Sequence, residues 1–254
     1  MALHHRRWLP RACLSTIASR NTTTLFKTLM QKGLIDRSRL WIYFCKEFSK
    51  NRCESRGILT LGGDKSEHFV DGNLTWIPMS QEIVYQVWRA PLKAISGSHL
   101  RSDTNEISSS TVALSLARVI FDTGSGSLSL SEAIKGEAYA AIGFNWTAIL
   151  SGAHIPRCTE FNSSWAVTFD FGERDDAEGR HAVRLDGAQL ARPGFAGREE
   201  FCYPPFDSRG SYRFGLFGTP LLRQFYSVWD FGAMDVAGYA PRVRFGKLKA
   251  DMRP

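Results

Sequence analysis

The sequence predicts a mainly β protein with two or three short helices. Three observations carry that expectation. Short runs rich in β-branched and aromatic residues recur along the chain, separated by Gly, Asp, Ser or Asn turns. A period of two is plain where Ile83, Tyr85 and Val87 interleave with Val84, Gln86 and Trp88. Helical signals are few, short and bounded by caps and stops.

The elements are expected in the following order. Thr24 is placed to N-cap a short helix with Leu25, Phe26, Leu29 and Met30 on its apolar side and Gly33 as its stop. Strands follow at LWIYF (40–44), ILTL (58–61), LTWIPM (74–79) and VYQVW (84–88). Polar SGSHLRSDTNEISSS (96–110) reads as a loop. VALSLARVIF (112–121) reads as one buried strand running into Asp122, Thr123 and Gly124. Ser129 and Glu132 have capping-box spacing before EAIKGEAYAAI, which Gly143 ends. AVTFDF (166–171) is a strand candidate and GERDDAEGR (172–180) a solvated hairpin tip. Thr219 and Pro220 read as the N-cap and first-turn proline of a helix over LLRQFYSV.

A chain of 254 residues, 43% hydrophobic and 22% charged, holds one large or two small globular domains. It has no internal repeat and no apolar run near the ~18 residues of a membrane-spanning helix. The net charge of +7 is unevenly spread. Arg6, Arg7, Arg11, Arg20, Lys27 and Lys32 all precede the first acidic residue, Asp36, which leaves 26 basic against 25 acidic residues in the body. A nucleic-acid binder needs its basic face on the folded part, so that class of partner is excluded. The acid-free, hydroxyl-rich start has the composition of a mitochondrial targeting segment. The compartment signals elsewhere argue against that route, so residues 1–24 are expected to be a disordered or artificial basic start. Four of six asparagines open N-x-S/T sequons, namely Asn21, Asn73, Asn145 and Asn162. Five cysteines (Cys13, Cys45, Cys53, Cys158, Cys202) lack metal-site spacing, and two disulfides with Cys13 left over suit an oxidising compartment.

Several motifs fall away. The tripeptide DFG occurs at 170–172 and 230–232 without a kinase's glycine-rich loop, strand lysine or H-R-D segment. TGSGS (123–127) lacks the Lys-Ser/Thr of a phosphate loop, and neither G-x-S-x-G nor G-x-G-x-x-G is present. What remains is RVIFDTGSGSLSL (118–130), an apolar strand that delivers a carboxylate into a turn. Such a charge is costly unless hydrogen bonds hold it. Gly124 lets the backbone fold back on the carboxylate, and the hydroxyls of Thr123 and Ser125 are placed to brace it.

Five blocks in order give this motif its context. They are FKTLMQKGLIDRSRLWIYF (26–44), RGILTLGGDKSEHFVDGNLTWIPM (56–79), YQVWRAPLKAI (85–95), VIFDTGSGSL (119–128) and LFGTPLLRQFYSVWDFGAMDVAGYAP (216–241). Together they resemble the pepsin-like aspartic proteases, specifically the C-terminal lobe, over roughly nine-tenths of the chain. The resemblance implies a pepsin-like acid-protease lobe, a β-barrel or sandwich with a psi loop, over residues 25–246. Residues 25–39 would be its linker and 247–254 a basic tail. It implies Asp122 as one of two catalytic aspartates, with Thr123, Gly124 and Ser125 as loop support. Leu216, Phe217 and Gly218 would thread the loop. Gly126 departs from the family, whose second loop usually has a serine or similar residue there. Cys158 and Cys202 bracket the segment the family closes with a disulfide, and Cys45 with Cys53 is a second candidate pair. Asn73, Asn145 and Asn162 are the glycosylation candidates.

Function follows as an expectation: an aspartic endopeptidase acting on peptide or protein, without metal or cofactor, in the secretory pathway, extracellular or vacuolar. One D-T-G is present, and the 24 residues before the resemblance cannot hold a first lobe. The isolated monomer is therefore expected to be inactive. It would need a missing N-terminal lobe or, as in the retroviral relatives, a second copy; the other reading is a catalytically dead peptide-binding decoy. Apolar residues near Trp41 and Phe44 are expected to lie open to water.

Overall fold

The computed structural model describes residues 24–45, 57–80, 87–101, 103–115, 117–172, 181–208 and 214–253. Cys13, Asn21, Cys53 and the 84–86 part of the VYQVW run lie outside the described residues. Among those described, no helix is long and apolar enough to cross a membrane.

The Thr24 hydroxyl accepts the Lys27 amide at 3.2 Å and so caps α1 (Leu25–Gln31), which buries Phe26 and Met30. Gly33, at φ +65°, ends it. Next come β1 (Arg39–Phe44), β2 (Gly57–Leu61), a single-turn α2 (Ser66–Phe69) and β3 (Val70–Pro78). Trp88 is buried just ahead of the long β4 (Arg89–Leu100), which turns back into β5 (Ile107–Ala113). This hairpin replaces the loop expected over 96–110, with straight pairing from Leu100↔Ile107 to Ala94↔Ala113.

The chain continues through β6 (Arg118–Phe121), β7 (Leu128–Leu130), α3 (Glu132–Ala141) and α4 (Trp146–Leu150). The expected single strand over 112–121 is thus broken between β5 and β6. Ser131, not Ser129, is the N-cap of α3, because Ser129 is fully buried within β7. Then follow β8 (Trp165–Phe171), β9 (His181–Asp186) and α5 (Gly187–Leu190). The last group is β10 (Asp207–Ser208), β11 (Phe214–Phe217), α6 (Thr219–Leu222), β12 (Phe225–Asp230) and β13 (Arg242–Leu248). Gly218 rather than Thr219 is the N-cap of α6, and the helix lasts one turn before the β-prone FYSV continues as β12.

Two sheets result. The first is antiparallel in the order β2-β1-β12-β13-β3. The second runs β10-β7-β11-β6-β4-β8-β9, with β5 on the free side of β4. The main core fills the space between them and is rich in rings: Phe121 lies 5.2 Å from Phe245 and 5.5 Å from Phe171, centre to centre.

The first sheet has a second, smaller core on its other face. It holds Trp41, Tyr43, Phe69, Tyr226, Val228 and Leu248. Trp41 is 1% exposed, so the expectation that its surroundings stand open to water is corrected; Phe44 packs partly buried against the main core. The physical reason is period two: alternate residues of β1 face opposite sides, and both sides are covered. The segment expected as a basic tail takes part in this cover. Lys247 and Leu248 end β13, and the Tyr43 hydroxyl donates to the Met252 carbonyl at 3.1 Å.

Cys158 and Cys202 form a disulfide across 44 positions of sequence, with Cα atoms 4.8 Å apart. Cys45 is also disulfide-bonded. Closing a loop of that size stabilises mainly by limiting the unfolded chain. Replacing Cys158 and Cys202 together by Ser is expected to lower unfolding free energy by roughly 2–4 kcal/mol. Urea unfolding measures it, and a loss under about 1 kcal/mol would show the link to be passive.

Candidate active site

β6 reaches Phe121 through alternating buried positions and hands the chain to Asp122. β11 lies beside it in parallel register, Leu216↔Ile120 and Phe217↔Phe121, and beside β7 in antiparallel register, Leu216↔Ser129 and Phe217↔Leu128. The Leu216–Phe217 strand therefore runs between the two arms that flank the 122–127 turn. Phe217 is fully buried and Leu216 partly so.

Hydrogen bonds fix the turn on every side. The Asp122 amide donates to the Phe217 carbonyl at 3.0 Å, and the Ser125 amide to the Asp122 carbonyl at 3.1 Å. The carboxylate is held by the Gly124 amide, which donates to Asp122 Oδ1 at 2.8 Å. The Ser125 hydroxyl donates to the Ser127 carbonyl at 3.3 Å. Thr123 makes no side-chain hydrogen bond among the described residues, and the Ser125 hydroxyl braces the turn backbone at Ser127 rather than the carboxylate. From the threading segment, the Gly218 amide donates to the Ser127 carbonyl at 3.0 Å. The Thr219 amide and hydroxyl both donate to the Ser125 carbonyl, at 2.8 and 3.1 Å. Thr219, read from sequence as a helix cap, is in fact a clamp on this turn.

Arg192 is the residue that sequence reasoning missed. One arm of its guanidinium donates to the Gly126 carbonyl and Nη2 donates to the Pro204 carbonyl at 3.3 Å, while the group lies 5.3 Å from the Tyr203 ring centre. Burial lowers its pKa from the ordinary value, with Asp207 acting the other way. A lone arginine in ARPGF carries no motif, so only the fold could reveal this contact. Gly126 has no side chain, and nothing lies within 4 Å of where its Cβ would be. Arg192 supplies from outside the bracing that this position does not supply itself. Beneath Pro204, the buried Tyr139 hydroxyl donates to the Phe206 carbonyl at 2.6 Å and accepts the Phe206 amide at 3.2 Å. Burial holds the Tyr139 hydroxyl well above its usual titration range.

Arg192→Gln is expected to speed hydrogen exchange at the Ser127 amide and its neighbours about tenfold or more, the worth of a charge-assisted hydrogen bond. Exchange within β8 should not change. Equal rates in the turn would show that Arg192 does not brace it.

Asp122 is half-buried. Two concavities of about 230 and 300 Å³ lie elsewhere, one lined by Leu92, Val119, Leu130 and Ile134, the other by Ser96, Ser98, Thr111 and Arg184. Among the glycosylation candidates, exposed Asn73 is on β3. Asn145 caps α4 by accepting the Ala148 amide, and Asn162 is engaged in a turn with Thr159 and Ser164.

Comparison with known proteins gives this arrangement a context. The family model for eukaryotic aspartyl protease matches residues 12–241. "Probable vacuolar protease A" of Arthroderma benhamiae is 25% identical over 86% of the chain and 48% of its own length. Cathepsin E of Oryctolagus cuniculus is 26% identical over 90% and 52%, and pepsin A of Rhinolophus ferrumequinum 23% over 89% and 51%. The chain spans about half the length of these curated relatives.

Proposed function

Because the chain belongs to the eukaryotic aspartyl protease family, we propose that it forms one lobe of an aspartic endopeptidase in which Asp122 is one of two catalytic carboxyl groups. The observation that carries this reading is the placement of Asp122: a carboxylate at the end of a buried strand, one oxygen held by the Gly124 amide, its turn clamped by the threading strand.

The chemistry needs a partner. Two adjacent carboxyls cannot both ionise readily, so they share a proton. One then takes a proton from the attacking water as the other gives one to the peptide carbonyl, and the roles reverse as the bond breaks. In this chain the Gly124 amide fixes Asp122 Oδ1, and Oδ2 has no hydrogen-bond donor among the described residues. That oxygen is the one for water and for the second carboxyl. The second aspartate comes from an N-terminal lobe or from a second copy of this chain across a two-fold axis. A cleft has two walls, and the half-buried position of Asp122 fits a chain that provides one of them. The same half-exposed carboxylate also suits a peptide-binding relic without catalysis, the second reading.

The substrate is a peptide or protein. The names of the relatives, the disulfide and the sequons support a secretory-pathway protein, extracellular or vacuolar. Peptide cleavage at acidic pH by the assembled protein tests the proposal. Asp122→Asn is expected to remove it by about 10²–10⁴-fold or more, and cleavage that persists in that variant overturns the assignment.

A further inference from the structure

We propose that Arg39, Arg242 and Arg244, gathered around Trp76 on one face of the first sheet, form a binding site for a phosphate-type oxyanion. The site is separate from Asp122. Leu40, Val243, Phe245 and Ile77 point into the main core. Their strand neighbours Arg39, Arg242, Arg244 and Trp76 therefore occupy the opposite face. Arg242 and Arg244 also lie past residue 241, where the family match ends.

Charge and hydrogen bonding argue for an anion here. The three guanidinium carbons lie 5.8, 4.0 and 4.2 Å from the centre of the Trp76 ring. Stacking on an indole steadies a cation but offers it no acceptor. One buried carboxylate, Asp230, serves two of them: Arg39 Nε donates to its Oδ2 at 2.9 Å and Arg242 Nε at 3.1 Å. Its Oδ1 is taken by the Gly232 amide at 3.0 Å. Asp230 is thus shared between two arginines and a backbone amide, and none of these contacts reaches Arg244. Arg244 donates Nη2 to the Leu74 carbonyl at 3.4 Å, and its Nε is buried without an acceptor among the described residues. Burial and repulsion from Arg242 and Arg39 lower its pKa, outranking the attraction of Asp64 and Asp230. The fold holds this arginine where its charge is poorly met.

Three guanidiniums whose N–H groups outnumber their acceptors call for a ligand with several charged oxygens. Asp230 already fills the role of a planar carboxylate. A phosphate or phosphate monoester has three or four terminal oxygens and accepts from several arginines at once. An extended polyanion does not fit, because the body of the chain carries 26 basic against 25 acidic residues. Free inorganic phosphate and a phosphorylated side chain share the recognised chemistry.

The experiment uses the full chain, isotope-labelled for magnetic resonance, with ionic strength held constant by sodium chloride. On adding inorganic phosphate, the Arg244 Nε–H and Trp76 indole N–H signals are expected to shift and saturate. Arg244→Gln and Arg39→Gln, followed at Trp76, should each weaken binding about tenfold. Lys247→Gln, at the exposed end of the same strand, should not. If Arg244→Gln fails to fold, the wild-type Arg244 signal and Arg39→Gln still decide the matter. A phosphoserine peptide forms the second arm: tighter binding than phosphate identifies a modified protein as the source, and equal or weaker binding identifies the free ion. A shift that never saturates, or one indifferent to both arginine variants, overturns the site. The outcome is independent of whether Asp122 supports proteolysis.

Discussion

A verified monomer of this chain is expected to leave peptides uncut at acidic pH, with cleavage rising as the square of protein concentration or on adding a lobe that brings a second aspartate. The reason is stoichiometric. A single carboxyl group cannot act as base toward water and as acid toward the carbonyl in one step. Asp122 stands at a strand-to-turn junction, where the Gly124 amide donates to its carboxylate and its own amide donates to the Phe217 carbonyl. Asp170 and Asp230 also stand at strand ends, but Asp230 is spent on two arginines inside the first sheet, and Asp170 pairs across β4 and β9. Peptide cleavage measured alongside sedimentation separates the cases. A rate linear in monomer concentration, abolished by Asp122→Asn, would mean that one lobe suffices.

Gly218→Ala is expected to be the most damaging single change near the site that leaves every charge in place. A Cβ at Gly218 would meet the Ser125 carbonyl oxygen and sit 2.7 Å from that carbonyl's carbon. Both are backbone atoms, which cannot swing aside as a side chain would. Gly218 has an ordinary negative φ of −99°, so the constraint is space, not conformation. Relief requires the 122–127 turn or the threading strand to move. Movement breaks the bonds from Gly218 to Ser127 and from Thr219 to Ser125. The cost is roughly 1–3 kcal/mol or more of stability, together with a displaced Asp122. Gly126→Ala is the matched control, since open space surrounds that position and substitution there should change stability by about 0.5 kcal/mol or less. Equal unfolding curves for the two variants would refute the tight threading.

The residues that could be read in sequence were those whose signal is local. Thr24 and Gly33 bound α1 because cap and stop lie within a few positions, and β1, β2 and β8 show as compact apolar runs. Asp122 with Gly124 and Ser125 announced a turn on a strand end. The failures share a cause, which is that burial is decided by distant partners. Ser96, Ser98, Ser109 and Thr111 look like loop residues until α3 covers one face of their hairpin, so close that a Cβ on Gly97 would lie 2.6 Å from that of Ala141. The Ser96 and Thr111 hydroxyls then pair across the strands at 2.9 Å. Ser129 satisfies a capping pattern yet is consumed by β7, and Trp41 is sealed by residues from the far end of the chain. Arg192 and the arginine cluster had no sequence signature, because each depends on segments that only the tertiary fold brings together.

The central strand pair of the first sheet joins Arg39 to Asp230, and the threading strand meets β6 across roughly a hundred residues. These contacts come late in any folding route, because loops of about 190 and about 100 residues must close before they are rewarded. Folding should accordingly be slow for a protein of this size. During synthesis β1 leaves the ribosome before its partner β12 is made, so that edge of β1 waits for residues 225–230 to be translated. Changes that merely delay release of residues 225–248 should therefore lower the yield of folded protein without altering its final stability.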